Sequence, residues 1–234
     1  MREPLVRLES LSISYRERRR SIPVLQGIDL TVERGEWVMI TGESGAGKST
    51  LLYAIAGLIP PTEGRILIEG RAFTAERERA EYRNKHVGVM FQGSPLLPSF
   101  LVWENVTLPA RIASPSRSRF TPEEKERAIQ LLEELGIGSL AERYPHQLSL
   151  GQRRRAAIAR ALMNRPSILL ADEPTNDLDP DRVEQLLQLF ERISRQGITM
   201  IMVTHDERSL KYGEKIYRLA EGKLSEVNRI GSLS

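Results

Sequence analysis

Cysteine is absent from the 234 residues, which excludes a disulfide framework and any thiolate metal site and suits a reducing compartment. Long apolar runs are missing too. None approaches the roughly 18 residues that a spanning helix needs, so work at a membrane requires a separate partner. The opening MREPLVRLES lacks the apolar stretch of a secretory signal peptide. A surplus of one charge is lacking as well: 34 Lys and Arg stand against 31 Asp and Glu, a net +3, so no nucleic-acid partner is demanded. There is no internal repeat and no low-complexity tract. What is present is an ordinary globular balance, 40% hydrophobic and 28% charged, in a length that fits one domain carrying an insertion.

Hydrophobic patterning divides the chain. VRLESLSISY and GIDLTVE alternate, which predicts half-buried antiparallel strands joined by a charged loop around Arg16 to Arg20. WVMIT (37–41) is a short continuous apolar run, as in a strand buried on both faces, and it leads through a Gly-rich turn into STLLYAIAG, a helix ending at Gly57. Three more buried strands are predicted at VGVMF (87–91), SILLA (167–171) and ITMIMVT (198–204). Between the last two, Pro180 opens and Gly197 closes an amphipathic helix. Such alternation predicts a mainly parallel sheet flanked by helices. Residues 93–164 break it with a Pro-rich entry, a polar SPSRSR loop, the helix PEEKERAIQLLEELG and the helix of LSLGQRRRAAIARAL, and they read as an inserted helical lobe.

Three motifs carry chemistry. GESGAGKS, Gly42 to Ser49, matches the phosphate-loop pattern between a buried strand and a helix. Its glycines let backbone wrap phosphates, Lys48 reaches the β and γ phosphates, and the Ser49 hydroxyl ligates Mg²⁺. SILLADEP sets two acids at the carboxyl end of an apolar strand, where open α/β sheets bind ligands. Asp172 fits a Mg²⁺ partner through water, and Glu173 fits the carboxylate that activates an attacking water. In LSLGQRRRAAIARAL a helix begins at the bare Gly151, whose unpaired N–H groups and dipole favour a phosphate. Arg153, Arg154 and Arg155 are read as solvated charge, like Arg16 to Arg20, with contact to membrane headgroups as the lesser alternative.

With these pieces the sequence resembles the ATP-binding cassette family along nearly its whole length, because LSLGQ is similar to that family's signature and the order of phosphate loop, signature and acidic strand is the family's own. The resemblance implies an α/β fold: a P-loop NTPase core with a mainly parallel sheet (1–92 and 165–234), an N-terminal antiparallel β subdomain and an inserted α-helical subdomain (93–164). It implies ATP and Mg²⁺ as cofactors. Gly42, Glu43, Ser44, Gly45, Ala46, Gly47, Lys48, Ser49 and Thr50 would wrap the nucleotide, and Tyr15 would stack on adenine. Gln92 would touch Mg²⁺ or the water and link the core to the helical lobe. His205 would contact the γ-phosphate. Two cassettes would pack head to tail around two ATP, with Ser149, Gly151 and Gln152 of one facing the γ-phosphate held by the other, and with NDLD (176–179) crossing the interface. One departure stands out. The family usually has Gly at the position of Leu150, where a side chain is strained if φ is positive.

A cassette without membrane segments lends its ATP cycle to something else. A ribosome factor would carry two fused cassettes, and only one phosphate loop is present; a chromosome or DNA-repair ATPase would need long heptad arms, which are missing. An integral membrane permease, engaged through the Gln92 segment and the helical lobe with Leu96, Leu97 and Phe100 lining a groove, is the expected partner, at the cytoplasmic face of the membrane. VMFQGSPLLPSFLVWENVTLP resembles the lipoprotein-release and macrolide-export group, which implies export, lipoprotein release or extrusion; the alternatives are the ATPase of an importer or a non-transport ATPase acting on ribosome or DNA. The stretch after IYRLAEGKLSEV is expected to leave no room for the C-terminal regulatory domain of several importers.

Overall fold

The computed structural model describes residues 4–17, 20–72, 75–93, 95–113 and 120–227. In chain order the elements are β1 (Val6–Glu17), β2 (Arg20–Val32), β3 (Trp37–Thr41), α1 (Lys48–Ile55), β4 (Glu63–Ile68), β5 (Arg71–Ala72), α2 (Glu76–His86) and β6 (Val87–Met90). They continue with α3 (Val102–Ala113), α4 (Pro122–Glu134), α5 (Leu150–Leu162), β7 (Ile168–Asp172), α6 (Pro180–Ser194), β8 (Thr199–Val203), β9 (Lys215–Ala220) and β10 (Lys223–Glu226). The chain divides into two compact units, one of residues 1–79 and 175–234 and the other of residues 80–174.

In the first unit, an antiparallel sheet of order β2-β1-β4-β5 comes from the alternating N-terminal segments and the strands that follow α1. Val6, Leu8, Leu11 and Ile13 turn inward. The step of three between Leu8 and Leu11 is absorbed by a register break at Ser10, whose backbone is left-handed (φ 47°) and whose N–H donates to Asp29 Oδ1 at 2.9 Å. The charged loop expected at Arg16 to Arg20 is largely strand instead, since Arg16 pairs with Ser21 and Glu17 with Arg20. Arg18 and Arg19 lie outside the described residues.

Strand β3 of the same unit lies between β8 and β9 and pairs parallel with both, and β10 closes antiparallel on β9. Trp37 to Ile40 and all of β8 are buried, which is why these strands read as continuous apolar runs. Helix α6 presents Val183, Leu186, Leu187, Phe190 and Ile193 on its buried face. Its N-terminus is set by Pro180 and by Asp179, whose carboxylate accepts from Arg182 N–H at 3.0 Å.

In the second unit β6 and β7 pair in parallel, from Val87↔Ile168 to Met90↔Ala171. Helix α4 opens on a capping box, Thr121 with Glu124, behind Pro122. Helix α5 buries Ala156, Ala157, Ile158, Ala159, Ala161 and Leu162. Its small residues admit close approach to β6: at Gly88 a Cβ would run into the Ala161 carbonyl. The SPSRSR segment lies outside the described residues. Among them, no helix is long and apolar enough to cross a membrane.

Candidate functional site

The phosphate loop leaves the carboxyl end of β3 and enters α1. Gly42 (φ 154°) has no room for a side chain, since a Cβ would collide with the Leu219 carbonyl oxygen. Gly47 (φ 100°) caps α1 with bare backbone, so the first N–H groups of this helix gain no side-chain partner from the cap. Lys48 is only 5% exposed. Its ammonium donates to the carbonyls of Gly42 at 2.8 Å and Glu43 at 2.9 Å, drawing the loop into a ring. Glu43, Ser44 and Gly45 are exposed, and Ala46, Ser49 and Thr50 are half-buried. A ring of backbone donors at a helix start, with a lysine in it, is a receptor for polyphosphate.

Tyr15 reaches this loop from β1. It is 45% exposed, and its hydroxyl lies 3.5 Å from Thr50 Oγ1 on α1. An open ring tethered at one edge suits stacking on a flat base. His205 comes from β8. Since Ile40 pairs with Val203 and Thr204 N–H donates to Ile40 O at 3.0 Å, His205 leaves its strand at the level where Gly42 leaves β3. It is exposed, and its neighbour Asp206 is held below the ordinary carboxyl range, chiefly by the hydrogen bond from Arg208. In NDLD, Asp177 has a left-handed backbone (φ 60°) and Asp179 is the α6 cap.

The second unit carries the remaining candidates. Asp172 ends β7 with a carboxyl group on a residue 1% exposed. Glu173 follows in a left-handed conformation (φ 45°), which stops the strand and turns the chain. Because Met90 pairs with Ala171, Gln92 and Glu173 each stand two residues past the same rung and leave neighbouring strands at one end. Gln92 is exposed and Glu173 half-buried.

The signature helix differs from expectation in three ways. It starts at Leu150, and its start is not bare: Ser149 Oγ accepts from Gln152 N–H at 3.3 Å while Gln152 Oε1 accepts from Ser149 N–H at 2.9 Å. The S-x-x-Q spacing was the signal for this capping box. Leu150 has no positive φ, so its side chain meets no backbone strain there, and Gly151 is helical with open space around an added Cβ. The arginines are not a solvated face either. Arg154 is 3% exposed, and Arg155 donates to the Leu135 carbonyl at 2.9 Å. Their long aliphatic stems let them pack, and the Arg155 head finds a carbonyl oxygen, which a count of charges does not register.

Asn105 is a residue that the motif reading passed over. Fully buried on α3, it accepts from Leu97 N–H at 2.7 Å and donates to the carbonyls of Leu97, Phe100 and Leu101 at 3.0 to 3.1 Å. It thereby shapes the loop on which Leu97 stands 45% exposed. The lone Asn in WENV, inside an apolar helical face, was its only trace.

A Gly-rich loop closed on its lysine between a buried strand and a helix, with acids ending a parallel strand, defines a P-loop nucleotide-hydrolysing fold. The ABC transporter family model matches residues 25–176, and the chain belongs to that family. Among relatives, the ABC transporter ATP-binding protein YtrE of Bacillus subtilis is 40% identical over 92% of this chain and 93% of its own. The lipoprotein-releasing system ATP-binding protein LolD of Xanthomonas campestris is 39% identical over 95% of this chain and 93% of its own. The macrolide export ATP-binding/permease protein MacB of Rhodopirellula baltica is 41% identical over 95% of this chain, which spans 33% of that longer protein. Among solved structures, the ATP-binding cassette MJ0796, a dimer in a post-hydrolysis state bound to ADP and Pi, superposes with a TM-score of 0.87 at 35% identity, covering 97% of this chain and 100% of that one. The chain is thus an ATP-binding, ATP-hydrolysing cassette.

Proposed function

We propose that the chain works as a head-to-tail pair of cassettes that sandwiches two ATP molecules and drives a separate membrane permease of the lipoprotein-release or macrolide-export kind. The observation that carries this reading is the motif order, phosphate loop, LSLGQ and ADEP, in a chain 39% identical to LolD over 95% of its length. The dimeric state of MJ0796 supports the pairing. The segment from Gln92 and the helices of residues 93–164 engage the permease, with Leu97 as a contact, and the cassette sits peripherally at the cytoplasmic face.

In this reading Lys48 and the N–H groups of residues 42–49 hold the phosphates, Tyr15 holds adenine, and Glu173 accepts a proton from the attacking water. His205 contacts the γ-phosphate, and Ser149, Gly151 and Gln152 approach it from the second chain. The hydroxyl of Ser49, the amide of Gln92 and, through water, the carboxylate of Asp172 are hard oxygen donors of the sort Mg²⁺ takes. Among the described residues no group of three or more His, Asp or Glu is placed to hold a metal ion, so the donor set fits an ion carried in by the nucleotide better than one held in a protein cage. Bound there, Mg²⁺ would offset charge on the β and γ phosphates.

The test is Glu173→Gln, which keeps the shape but not the base. ATP binding should persist while turnover collapses, and ATP-bound dimers should accumulate on size-exclusion chromatography with light scattering. Hydrolysis at the parental rate would remove the assignment.

A further inference from the structure

The segment from Thr204 to Gly213 follows β8 and carries His205. Its ends are fixed to β3: Thr204 N–H donates to Ile40 O at 3.0 Å, and Glu214 N–H donates to Trp37 O at 2.8 Å. Between them Asp206 caps a 3-10 helix, Glu207–Tyr212, by accepting from Arg208 N–H. The far end of this helix meets α6. Tyr212 donates its hydroxyl hydrogen to Glu184 Oε1 at 2.5 Å, and Lys211 Nζ lies 2.9 Å from Glu184 Oε2. The Tyr212 ring also packs on buried Trp37, with centroids 5.7 Å apart.

A hydroxyl on a carboxylate is a strong, directional link, roughly twice a neutral hydrogen bond. The electrostatics agree: Glu184 is held below the ordinary carboxyl range, first by Tyr212 and then by Lys211, and the Tyr212 phenol is pushed up to about 12 by burial and by Glu184. The pair therefore stays in its bonded form throughout neutral pH. Glu184 lies on α6 five residues beyond Asp179, which caps that helix and ends NDLD. Glu184, bonded by Tyr212 and Lys211, thus joins the piece that presents His205 to the piece that presents Asp179.

We infer that Tyr212 is a positioning residue for ATP hydrolysis, its bond to Glu184 locking the His205 segment to helix α6. This rests on the reading of His205 as a γ-phosphate contact. The residues assigned to adenine and to the phosphate loop lie on β1 and between β3 and α1 and take no part in the Tyr212 bond, so loosening it acts mainly on the chemical step and little on ATP affinity. A displacement near 1 Å at a reacting group costs up to about a hundredfold in rate. A loosened segment that still visits its place loses less.

The experiment compares steady-state ATPase kinetics and melting of the full chain with those of five variants. Tyr212→Phe keeps the ring on Trp37 and removes the hydroxyl. Its kcat should fall about threefold to tenfold with KM for ATP within about twofold and a thermal midpoint within about 3 °C. Glu184→Gln retains an acceptor and should stay within about twofold of the parent, whereas Glu184→Ala, which also frees Lys211, should lose at least as much as Tyr212→Phe. In a His205→Ala background, Tyr212→Phe should add nothing. An unchanged kcat in Tyr212→Phe overturns the inference, as does an equal loss with and without His205. If His205→Ala itself hydrolyses ATP normally, it is the reading of His205 that fails.

Discussion

Gly151 offers a direct test of whether the signature helix faces a phosphate from another molecule. As the second residue of α5 it has no positive φ, and nothing lies within 4 Å of an ideal Cβ. Nothing among the described residues therefore requires glycine there, in contrast to Gly42 and Gly88, where a Cβ would strike backbone carbonyls. Gly151→Ala should stabilise the isolated chain by lowering the entropy of its unfolded state, by about 0.4 to 1 kcal/mol. At 2 to 4 °C per kcal/mol for a chain of this size, the midpoint should rise by about 1 to 4 °C. In the proposed pair the same methyl would stand where the γ-phosphate held by the other chain approaches. In a Glu173→Gln background, where ATP-bound dimers should accumulate, Gly151→Ala should weaken ATP-driven dimerisation at least tenfold, about 1.4 kcal/mol. Two measurements suffice: a nucleotide-free melt by circular dichroism and a light-scattering titration of dimer against protein concentration with ATP. Dimerisation equal to the parent's would refute the shared site. A midpoint that falls would refute the open space around Gly151.

Gly88→Ala should destabilise, by about 1 to 3 kcal/mol of overpacking against the Ala161 carbonyl, seen as a lower denaturant midpoint. Asn105→Leu should cost about 1 to 3 kcal/mol by leaving buried backbone groups of the 97–101 loop without partners, and it should reduce co-purification with the permease; retained binding would mean that the loop does not dock. The Lys215 ammonium is held above its ordinary value of 10.5 chiefly by the Glu36 carboxylate, 2.8 Å away. Its stabilisation is complete below the unfolded value and is lost as pH rises through the folded one, so the midpoint should drop above about pH 10 more steeply in the parent than in Lys215→Met. Mixed dimers pairing a Lys48→Ala chain with a Gly151→Asp chain should retain ATP in one whole site; retention only when both changes share a chain would falsify the trans arrangement.

The strands WVMIT, ITMIMVT, VGVMF and SILLA were legible from sequence because burial on both faces leaves an apolar run that needs no partner to be recognised. Gly42 to Ser49 was legible too, since glycine spacing, lysine and flanking elements are local properties of the chain. So were the α4 and α6 boundaries, where Thr121 and Asp179 cap helices that begin with proline. Strands β4 and β5 were not, being short and exposed with no clean alternation.

Sequence by itself therefore determined the class of chemistry and the position of each motif, because both depend on residues close together along the chain. Tertiary structure alone decided what those residues touch. It buried Arg154 that composition counts as surface charge, made Asn105 the organiser of a loop eight residues away, and brought Tyr212 onto Glu184 across 28 positions. A hydrogen bond between distant residues is specified by the packing of whole elements, and local pattern carries no record of it.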